Sequence, residues 1–349
     1  ALYANTTVSN LTAVGYEALK ANTTGGSNVA VGWQALKDNT TGNNNTATGY
    51  NALQNNTTGS NNVATGWQAM SSNTTGTGNT ATGYYALKNN STASGNTAYG
   101  YYGLLSTTGG YNTSVGYEAL KNNSTGTANV AVGYYALRNN TTGIYNTAIG
   151  YSALQANTTN YLTAVGYQAL TANTTGTENA AFGYSSLLGN TTGSRNAGYG
   201  YSSLKTNTTG SNNTATGYAA LVFNTTGGNN VAVGQSALRD NTTGGANSAV
   251  GTAALYSNTT GGSNVAVGNA ALTGNTTGLG NTATGTYSGQ ANTTGQYNVA
   301  TGYSASQNTI TGSYNVAVGY NALKFNTISN LTAVGYEALY SNTTGTGNV

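Results

Sequence analysis

The chain contains no cysteine, histidine or proline, and charged residues make up only 4% of its 349 residues. Without cysteine it cannot form disulfides or thiolate metal sites. Without histidine and cysteine it lacks the most frequent general base and the thiol nucleophile of enzymes. The carboxylates closest in sequence, Glu17 and Asp38, are expected to form a solvated surface pair. We therefore expect no enzymatic activity, no metal site and no cofactor.

Positive charge and long apolar segments are equally scarce. Nine Lys or Arg against six Asp or Glu give a net charge of +3, without the basic stripe that would neutralise a phosphate backbone. No apolar run approaches the ~18 residues of a membrane-spanning helix. We expect neither a nucleic-acid partner nor membrane insertion of this segment. Because the chain opens on Ala1 and stops mid-repeat at Val349, we expect it to be a window of a longer protein.

Glycine, in contrast, is abundant, with 51 residues, and it marks a tandem repeat. The segment 28–44 reads NVAVGWQALKDNTTGNN, and the segments 45–61 and 62–78 repeat its pattern. We number the positions of this repeat 1 to 17, so that the first glycine occupies position 5. That glycine recurs every 17 residues along the chain, with three steps of 16 residues. A period that persists in this way predicts one continuous repeat array over residues 1–349.

The repeat is too short for helical units and is well suited to strands. Seventeen residues cannot hold a helix–turn–helix unit and fall below the length of a leucine-rich repeat. Positions 2 and 4 carry mainly Val and Thr, which favour a pleated strand. Glycine at position 5 and Thr-Thr-Gly at positions 13 to 15 indicate turns. The pattern predicts an all-β fold, a parallel β-solenoid or β-roll with one repeat per coil and about 20 coils.

Three columns of side chains are predicted to face inward and stack from coil to coil. Position 9 is leucine in most coils, position 3 is almost always alanine, and position 1 is asparagine or, in three coils, leucine. One buried leucine contributes ~2 kcal/mol, too little for a lone coil but cumulative along a stack. Asparagine amides can bond along the stacking axis. Representatives of this structural ladder are Leu36, Leu53, Leu137, Asn28, Asn45, Asn62, Ala30 and Ala47.

Position 12 is a second recurrent asparagine, with two interpretations. Asparagine is suited to left-handed backbone, which predicts a corner here with turn and ladder bonding, the interpretation we favour. The threonines that follow also complete the acceptor pattern for N-glycosylation. The candidate glycan acceptors are Asn22, Asn39, Asn56 and Asn73.

Position 6 forms an aromatic column that begins with Tyr16, Trp33, Tyr50, Trp67 and Tyr84. The favoured interpretation is that the rings stack on one another and pack the wall or a subunit seam. The alternative is a platform for sugar rings. An exposed column of this length would also be adhesive, and therefore a route to homo-oligomers. Threonines at positions 2 and 4 resemble the flat arrays of ice-binding solenoids, although valine interrupts them.

The repeats NVAVGWQAL, NTAIGYSAL and NVAVGYNAL resemble the repetitive shaft region of phage and bacterial tail-fibre-domain proteins. Those proteins carry tandem copies close to NTAIGYQALYSNTTGSN, commonly ahead of a self-cleaving C-terminal chaperone, and the resemblance extends over essentially the whole chain. Positions 2 to 5 are more loosely similar to the head of trimeric autotransporter adhesins. There a Val-Ala-Ile-Gly-type motif repeats in a left-handed parallel β-roll, and three rolls associate. Neither resemblance supplies catalytic residues.

Together the pattern and the resemblance predict the non-catalytic structural shaft of an extracellular fibre, a tail fibre or a surface adhesin on a virion or cell. The expected partner is the chain itself, as a trimer or an end-to-end filament, and glycans are a further candidate. One alternative is a self-assembling extracellular or matrix filament with a glycan coat. A weaker one is an ice- or carbohydrate-binding solenoid.

Overall fold

The computed structural model describes residues 2–5, 8–345 and 347. Within these residues the fold is all-β, with twenty strands of three residues each and no α-helix. No helix that could cross a membrane is therefore found in the described part of the chain. The chain divides into two compact units, Ala1–Thr175 with ten strands and Gly176–Val349 with ten strands.

Each strand occupies positions 2 to 4 of one repeat. The strands of the first unit are β1 (Thr12–Val14), β2 (Val29–Val31), β3 (Thr46–Thr48), β4 (Val63–Thr65), β5 (Thr80–Thr82), β6 (Thr97–Tyr99), β7 (Thr113–Val115), β8 (Val130–Val132), β9 (Thr147–Ile149) and β10 (Thr163–Val165). Those of the second unit are β11 (Ala180–Phe182), β12 (Ala197–Tyr199), β13 (Thr214–Thr216), β14 (Val231–Val233), β15 (Ser248–Val250), β16 (Val265–Val267), β17 (Thr282–Thr284), β18 (Val299–Thr301), β19 (Val316–Val318) and β20 (Thr332–Val334).

Within each unit, every strand pairs in parallel with the strand of the next coil, and equal repeat positions lie opposite one another. Ala30 of β2, for example, pairs with Ala13 of β1 and with Ala47 of β3. Residues one repeat apart are therefore stacked neighbours, and the prediction of a parallel β-solenoid with one repeat per coil is confirmed. The single continuous array over residues 1–349 stays a prediction beside the division into two units.

The interior of a coil is formed by positions 1, 3, 8, 9, 12 and 15. Alanines at positions 3 and 8 and leucine at position 9 make its apolar part, and Ala30, Ala47, Leu36, Leu53 and Leu137 are all fully buried. Outward-facing residues at positions 2 and 4 flank the buried alanine of each strand. The apolar core of a typical coil therefore consists of one leucine and two alanines.

Left-handed backbone occurs at positions 7, 9 and 17, so its assignment to position 12 was wrong. In one coil, φ is 53° at Gln34, 49° at Leu36 and 56° at Asn44, whereas Asn39 has no positive φ. This conformation costs an L-residue on the order of 1–2 kcal/mol, similar to the ~2 kcal/mol gained when leucine is buried. Leucine keeps it because stacked coils enclose the side chain, while asparagine at position 12 is needed for the hydrogen bonds of the turn that follows it.

Glycine at positions 5 and 15 is required by the close approach of successive coils. Gly32 has a φ of 140°, and a Cβ there would collide with the carbonyl oxygen of Gly49 in the next coil. A Cβ on Gly42 at position 15 would likewise meet the carbonyl oxygen of Gly59. These two positions therefore set the turns and allow the backbones to stack.

Two coils of the second unit show a compensating exchange in the core. Position 8 is Ser186 and then Ser203, whose Oγ atoms lie 2.9 Å apart. Ser186 Oγ also donates to the carbonyl oxygen of Gly198, which replaces the usual alanine at position 3. A Cβ on Gly198 would lie 2.5 Å from Ser186 Oγ. The larger residue at one position is accommodated by a smaller one opposite it.

Candidate functional site

In most coils, positions 1, 12 and 15 form a buried polar corner, which we call the asparagine corner; position 1 is leucine in three coils. In the coil that begins at Asn28, the carbonyl oxygen of Gly42 accepts hydrogen bonds from Asn28 Nδ2 at 2.8 Å and from Asn39 Nδ2 at 3.0 Å. Both asparagines are fully buried. A buried carbonyl without a partner is unfavourable, so the two amides satisfy a turn that could not otherwise be enclosed.

The same side chains also bond from coil to coil. Asn28 Oδ1 accepts from the backbone N–H of Asn45 at 2.8 Å, and Asn45 Oδ1 accepts from that of Asn62 at 3.0 Å. At position 12, Asn39 Nδ2 donates to Asn22 Oδ1 at 2.7 Å. Each corner therefore joins its own turn to both neighbours, and satisfied buried networks of this kind rigidify a core.

The threonines at positions 13 and 14 hold the outer side of the same turn. One carbonyl oxygen, that of Thr57, accepts from the N–H groups of Thr40, Thr41 and Gly42 at 2.9, 3.2 and 3.4 Å. The Thr40 hydroxyl also donates to it, at 3.0 Å. The first threonine thus has a structural role of its own, whereas the second, Thr41, is the residue that completes the glycosylation pattern.

The candidate glycan acceptors lie inside this corner. Asn22, Asn39, Asn56 and Asn73 are fully buried. Each Nδ2 donates to the position-15 carbonyl of its own coil. A glycan on that nitrogen would have to displace these bonds and leave the interior. We therefore assign the four residues to turn and ladder bonding.

Two coils lack the asparagine at position 12, and threonine occupies its place. Thr107 Oγ1 accepts from Asn123 Nδ2 at 3.1 Å and donates to the Gly109 carbonyl. Thr309 instead accepts from Ser306, which replaces the leucine at position 9. In each case the preceding asparagine, Asn90 or Asn292, has a buried Oδ1 without a hydrogen-bond partner. The ladder is interrupted at both places because threonine does not supply the missing amide N–H.

The aromatic column at position 6 lies on the outer surface, and its rings stack face to face. Tyr16 and Trp33 have ring centroids 4.1 Å apart, as do Tyr50 and Trp67. Tyr84 begins a longer run with Tyr101 at 5.2 Å. Stacked rings cover one another's faces and present mainly their edges to solvent. A sugar ring packs on an aromatic face, so only the end of a stack offers a suitable surface.

The strand face beside this column is free of charge. No residue at position 2, 4 or 6 of any coil is charged. Exposed apolar side chains such as Val14, Val31 and Ile149 alternate there with threonine. We call positions 2, 4 and 6 together the uncharged strip. Extended apolar surface of this kind is typical of association sites.

Charged residues are concentrated at positions 7, 10 and 11, where some form ion pairs. Glu118 Oε1 lies 2.8 Å from Lys121 Nζ, and its Oε2 lies 2.6 Å from Arg138 Nε. Burial raises the pKa of Glu118, but the hydrogen bonds from these two cations outweigh it and hold that pKa below its ordinary value. In the same run of coils, the neighbouring hydroxyl of Tyr85 raises the pKa of Tyr84 to about 12.

Glu17 is held similarly by Lys20 at 2.6 Å and receives a hydrogen bond from Gln34. No group of three or more His, Cys, Asp or Glu residues that could hold a metal occurs in the described ranges. The carboxylates with close partners are therefore engaged in surface ion pairs.

In comparisons with known proteins, no family model matches the chain, and no curated sequence is significantly similar to it. The similarity to tail-fibre-domain proteins and to trimeric autotransporter adhesins stays a prediction from the repeat.

Proposed function

We propose that this chain is the non-catalytic structural shaft of an extracellular fibre, a tail fibre or a surface adhesin. The observation that carries the proposal is the asparagine corner, which joins each coil to the coils on both sides through buried hydrogen bonds. A shaft has to transmit force and keep its length. Periodic inter-coil bonds serve that purpose directly, because every coil resists displacement in the same way.

Single-molecule pulling on the whole chain tests the mechanical part of this proposal. One unfolded 17-residue coil adds roughly 6 nm of contour length, from about 3.3–3.6 Å per residue. We expect force peaks separated by this increment or small multiples of it. Unfolding at negligible force, without such steps, would contradict a mechanical role.

The extracellular part of the proposal needs a separate experiment on the native source. Antibodies against the chain, used for immunogold labelling of intact cells or particles, should decorate fibres outside them. Labelling confined to the interior of permeabilised cells would contradict it.

The uncharged strip supports a related second candidate, a self-assembling filament. The uncharged strip is the surface on which two copies could meet without burying an unpaired charge. The partner in this proposal is another copy of the chain, in a trimer or along a filament. Sedimentation should show concentration-dependent oligomers, and Thr48→Lys together with Val31→Lys should reduce them more than Lys37→Gln does. Oligomers that are unchanged by both substitutions on the strip would contradict this assignment.

A glycan coat receives no support from the geometry at position 12, since the acceptor amides are buried. Intact-mass measurement of native material should therefore show no hexose increments at Asn22, Asn39, Asn56 or Asn73. Glycopeptides containing any of these residues would restore the coated filament as a candidate.

A further inference from the structure

We infer that a groove on the second unit binds an acidic saccharide. The groove has a volume of about 430 Å³ and lies across three successive coils. It is lined at positions 6, 7, 10 and 11 by residues that include Tyr201, Tyr218, Phe223, Lys205 and Arg239. The inference is independent of the proposed shaft, because none of these side chains belongs to the buried columns that join the coils.

The groove is open because position 7 carries small residues in these coils. They are Ser202, Ala219 and Ser236. In three coils of the first unit the same position carries tyrosine, which lies against the ring at position 6. The ring centroids of Tyr84 and Tyr85 are 4.1 Å apart, and those of Tyr101 and Tyr102 are 4.4 Å apart. Serine or alanine at position 7 leaves this space vacant beside the aromatic column.

An aromatic stack also ends in this groove. Tyr201 and Tyr218 are stacked, with centroids 5.2 Å apart, but the next residue at position 6 is Gln235. Tyr218 is 55% exposed, compared with 48% for Tyr201. Within the described part of the chain, Tyr201 is the ring that contacts Tyr218. The face of Tyr218 turned away from Tyr201 therefore carries no stacked ring in the described chain, and a pyranose ring would extend the stack there through its apolar C–H face.

The charge and hydrogen-bonding groups of the groove indicate an acidic ligand. Lys205 is half-buried and forms no ion pair with any described residue. Arg239 Nε donates to Asp240 Oδ1 at 2.8 Å, and its guanidinium lies over the Tyr256 ring, 4.1 Å from the centroid. The four N–H groups on its two terminal nitrogens are the ones that a ligand could use. Ser202 and Ser236, which each carry a hydroxyl, also line the groove. Two cations, one of them paired, with two hydroxyls suit a carboxylate or sulfate on a polyhydroxylated ring.

A single-stranded nucleic acid is the competing ligand, since bases also stack on tyrosine. Binding a phosphate backbone requires several cations in line, because each neutralised phosphate contributes to affinity. The groove offers only Lys205 and Arg239, and Asp240 offsets part of that charge. The small positive charge of the groove therefore favours a ligand with a single acidic group over a phosphate backbone.

Calorimetric titration of the whole chain tests the inference with three probes of similar length. They are an oligosaccharide containing glucuronate, a neutral glucose oligomer and a single-stranded oligonucleotide. We expect the glucuronate oligomer to bind more tightly than the neutral one and to weaken with added salt. Tyr218→Ala and Arg239→Gln should each weaken this binding about tenfold or more.

Ala219→Tyr should abolish binding while preserving the fold, because tyrosine is tolerated at position 7 in other coils with the same positive φ. The matched controls are Tyr320→Ala and Lys324→Gln, at positions 6 and 10 of a coil in which Asn321 occupies position 7. They should change the affinity less than twofold. Thermal melting verifies that each variant is folded.

Several outcomes would overturn the inference: no binding of the acidic oligomer, equal affinity for the neutral oligomer, or equal losses in the control variants. Tighter binding of the oligonucleotide would replace the saccharide with a nucleic acid. None of these results affects the inter-coil bonds on which the proposed shaft rests.

Discussion

The asparagine corner and the uncharged strip repeat with the same period, yet they are built in different ways. At the corner, each side chain has a defined partner in its own coil and in a neighbouring one, as Asn39 does with Gly42 and Asn22. On the strip, side chains stack or lie side by side without directional bonds. A substitution at the corner must leave a buried polar group unpaired, whereas one on the strip removes only contacts. Two columns with the same period can therefore contribute very different amounts to the free energy of folding.

The largest difference in stability is expected between a charge placed in the buried leucine column and a charge placed on the outer surface of the same coil. Leu137→Asp puts a carboxylate into the fully buried leucine column and should destabilise the fold by roughly 4 kcal/mol. Tyr134→Asp, in the same coil but exposed, should cost less than about 1 kcal/mol. Denaturant unfolding and limited proteolysis measure the stability of both variants. Wild-type-like stability of Leu137→Asp would contradict the buried role of the leucine column.

Removing one corner amide should have the next largest effect. Asn56→Ala deletes the donor to Asn39 Oδ1 and to the Gly59 carbonyl, and the acceptor for Asn73 Nδ2. Buried groups left unpaired cost about 1–3 kcal/mol. Tyr50→Ala in the same coil is the control, with an expected loss of less than about 1 kcal/mol. Equal losses in the free energy of unfolding of the two variants, measured with denaturant, would show that the corner contributes no more to stability than the strip does.

The replacement of the usual alanine by Gly198 allows packing within the core to be tested. Gly198→Ala brings a Cβ to 2.5 Å from Ser186 Oγ and should cost about 1–3 kcal/mol through overpacking. Adding Ser186→Ala and Ser203→Ala should recover most of that loss. If the triple variant is no more stable than Gly198→Ala alone, glycine and the two serines do not compensate one another.

Repairing an interrupted ladder should produce a gain of smaller size. Thr309→Asn places an amide where the unpaired Asn292 Oδ1 can accept from it, and should stabilise the protein by about 1 kcal/mol. Thr311→Asn, on the exposed side of the same turn, should be nearly neutral. A destabilising effect of Thr309→Asn would indicate that threonine suits position 12 of this coil better than the asparagine found there in most coils.

The smallest effect concerns the surface ion pairs. Because the pKa of Glu118 is lower in the folded state, its contribution to stability is present above about pH 4.5 and is lost as the pH falls through the folded value. Thermal melting between pH 6 and pH 3 should therefore show a steeper decline for the wild type than for Glu118→Gln. Parallel curves would mean that Lys121 and Arg138 do not stabilise the carboxylate.

The repeat in the sequence was sufficient to predict the fold, because one-residue shifts would expose the leucine and alanine columns. The hydrogen-bond partners were not predictable in the same way. Spacing shows that Asn28 and Asn39 recur, but not that both bond to the carbonyl of Gly42. Left-handed backbone at Leu36 was missed because leucine has no intrinsic preference for it.

The groove could have been found from the sequence by one signal. Small residues at position 7, from Ser202 to Ser236, coincide with the loss of the aromatic residue at Gln235. The volume between them, and the charge of Lys205 and Arg239 around it, depend on side-chain directions that periodicity does not specify. The sequence pattern shows which side chains stack in columns, but the size of the groove between those columns can be described only from the coordinates.

The central claim is that no coil is stable without its neighbours, and fragments of increasing length test it most directly. Fragments 28–61, 28–95 and 28–161 contain two, four and eight coils. Their resistance to denaturant should rise steeply with the number of coils and then level off, with the two-coil fragment unfolded in water. Equal stability of the two-coil and eight-coil fragments would contradict the account.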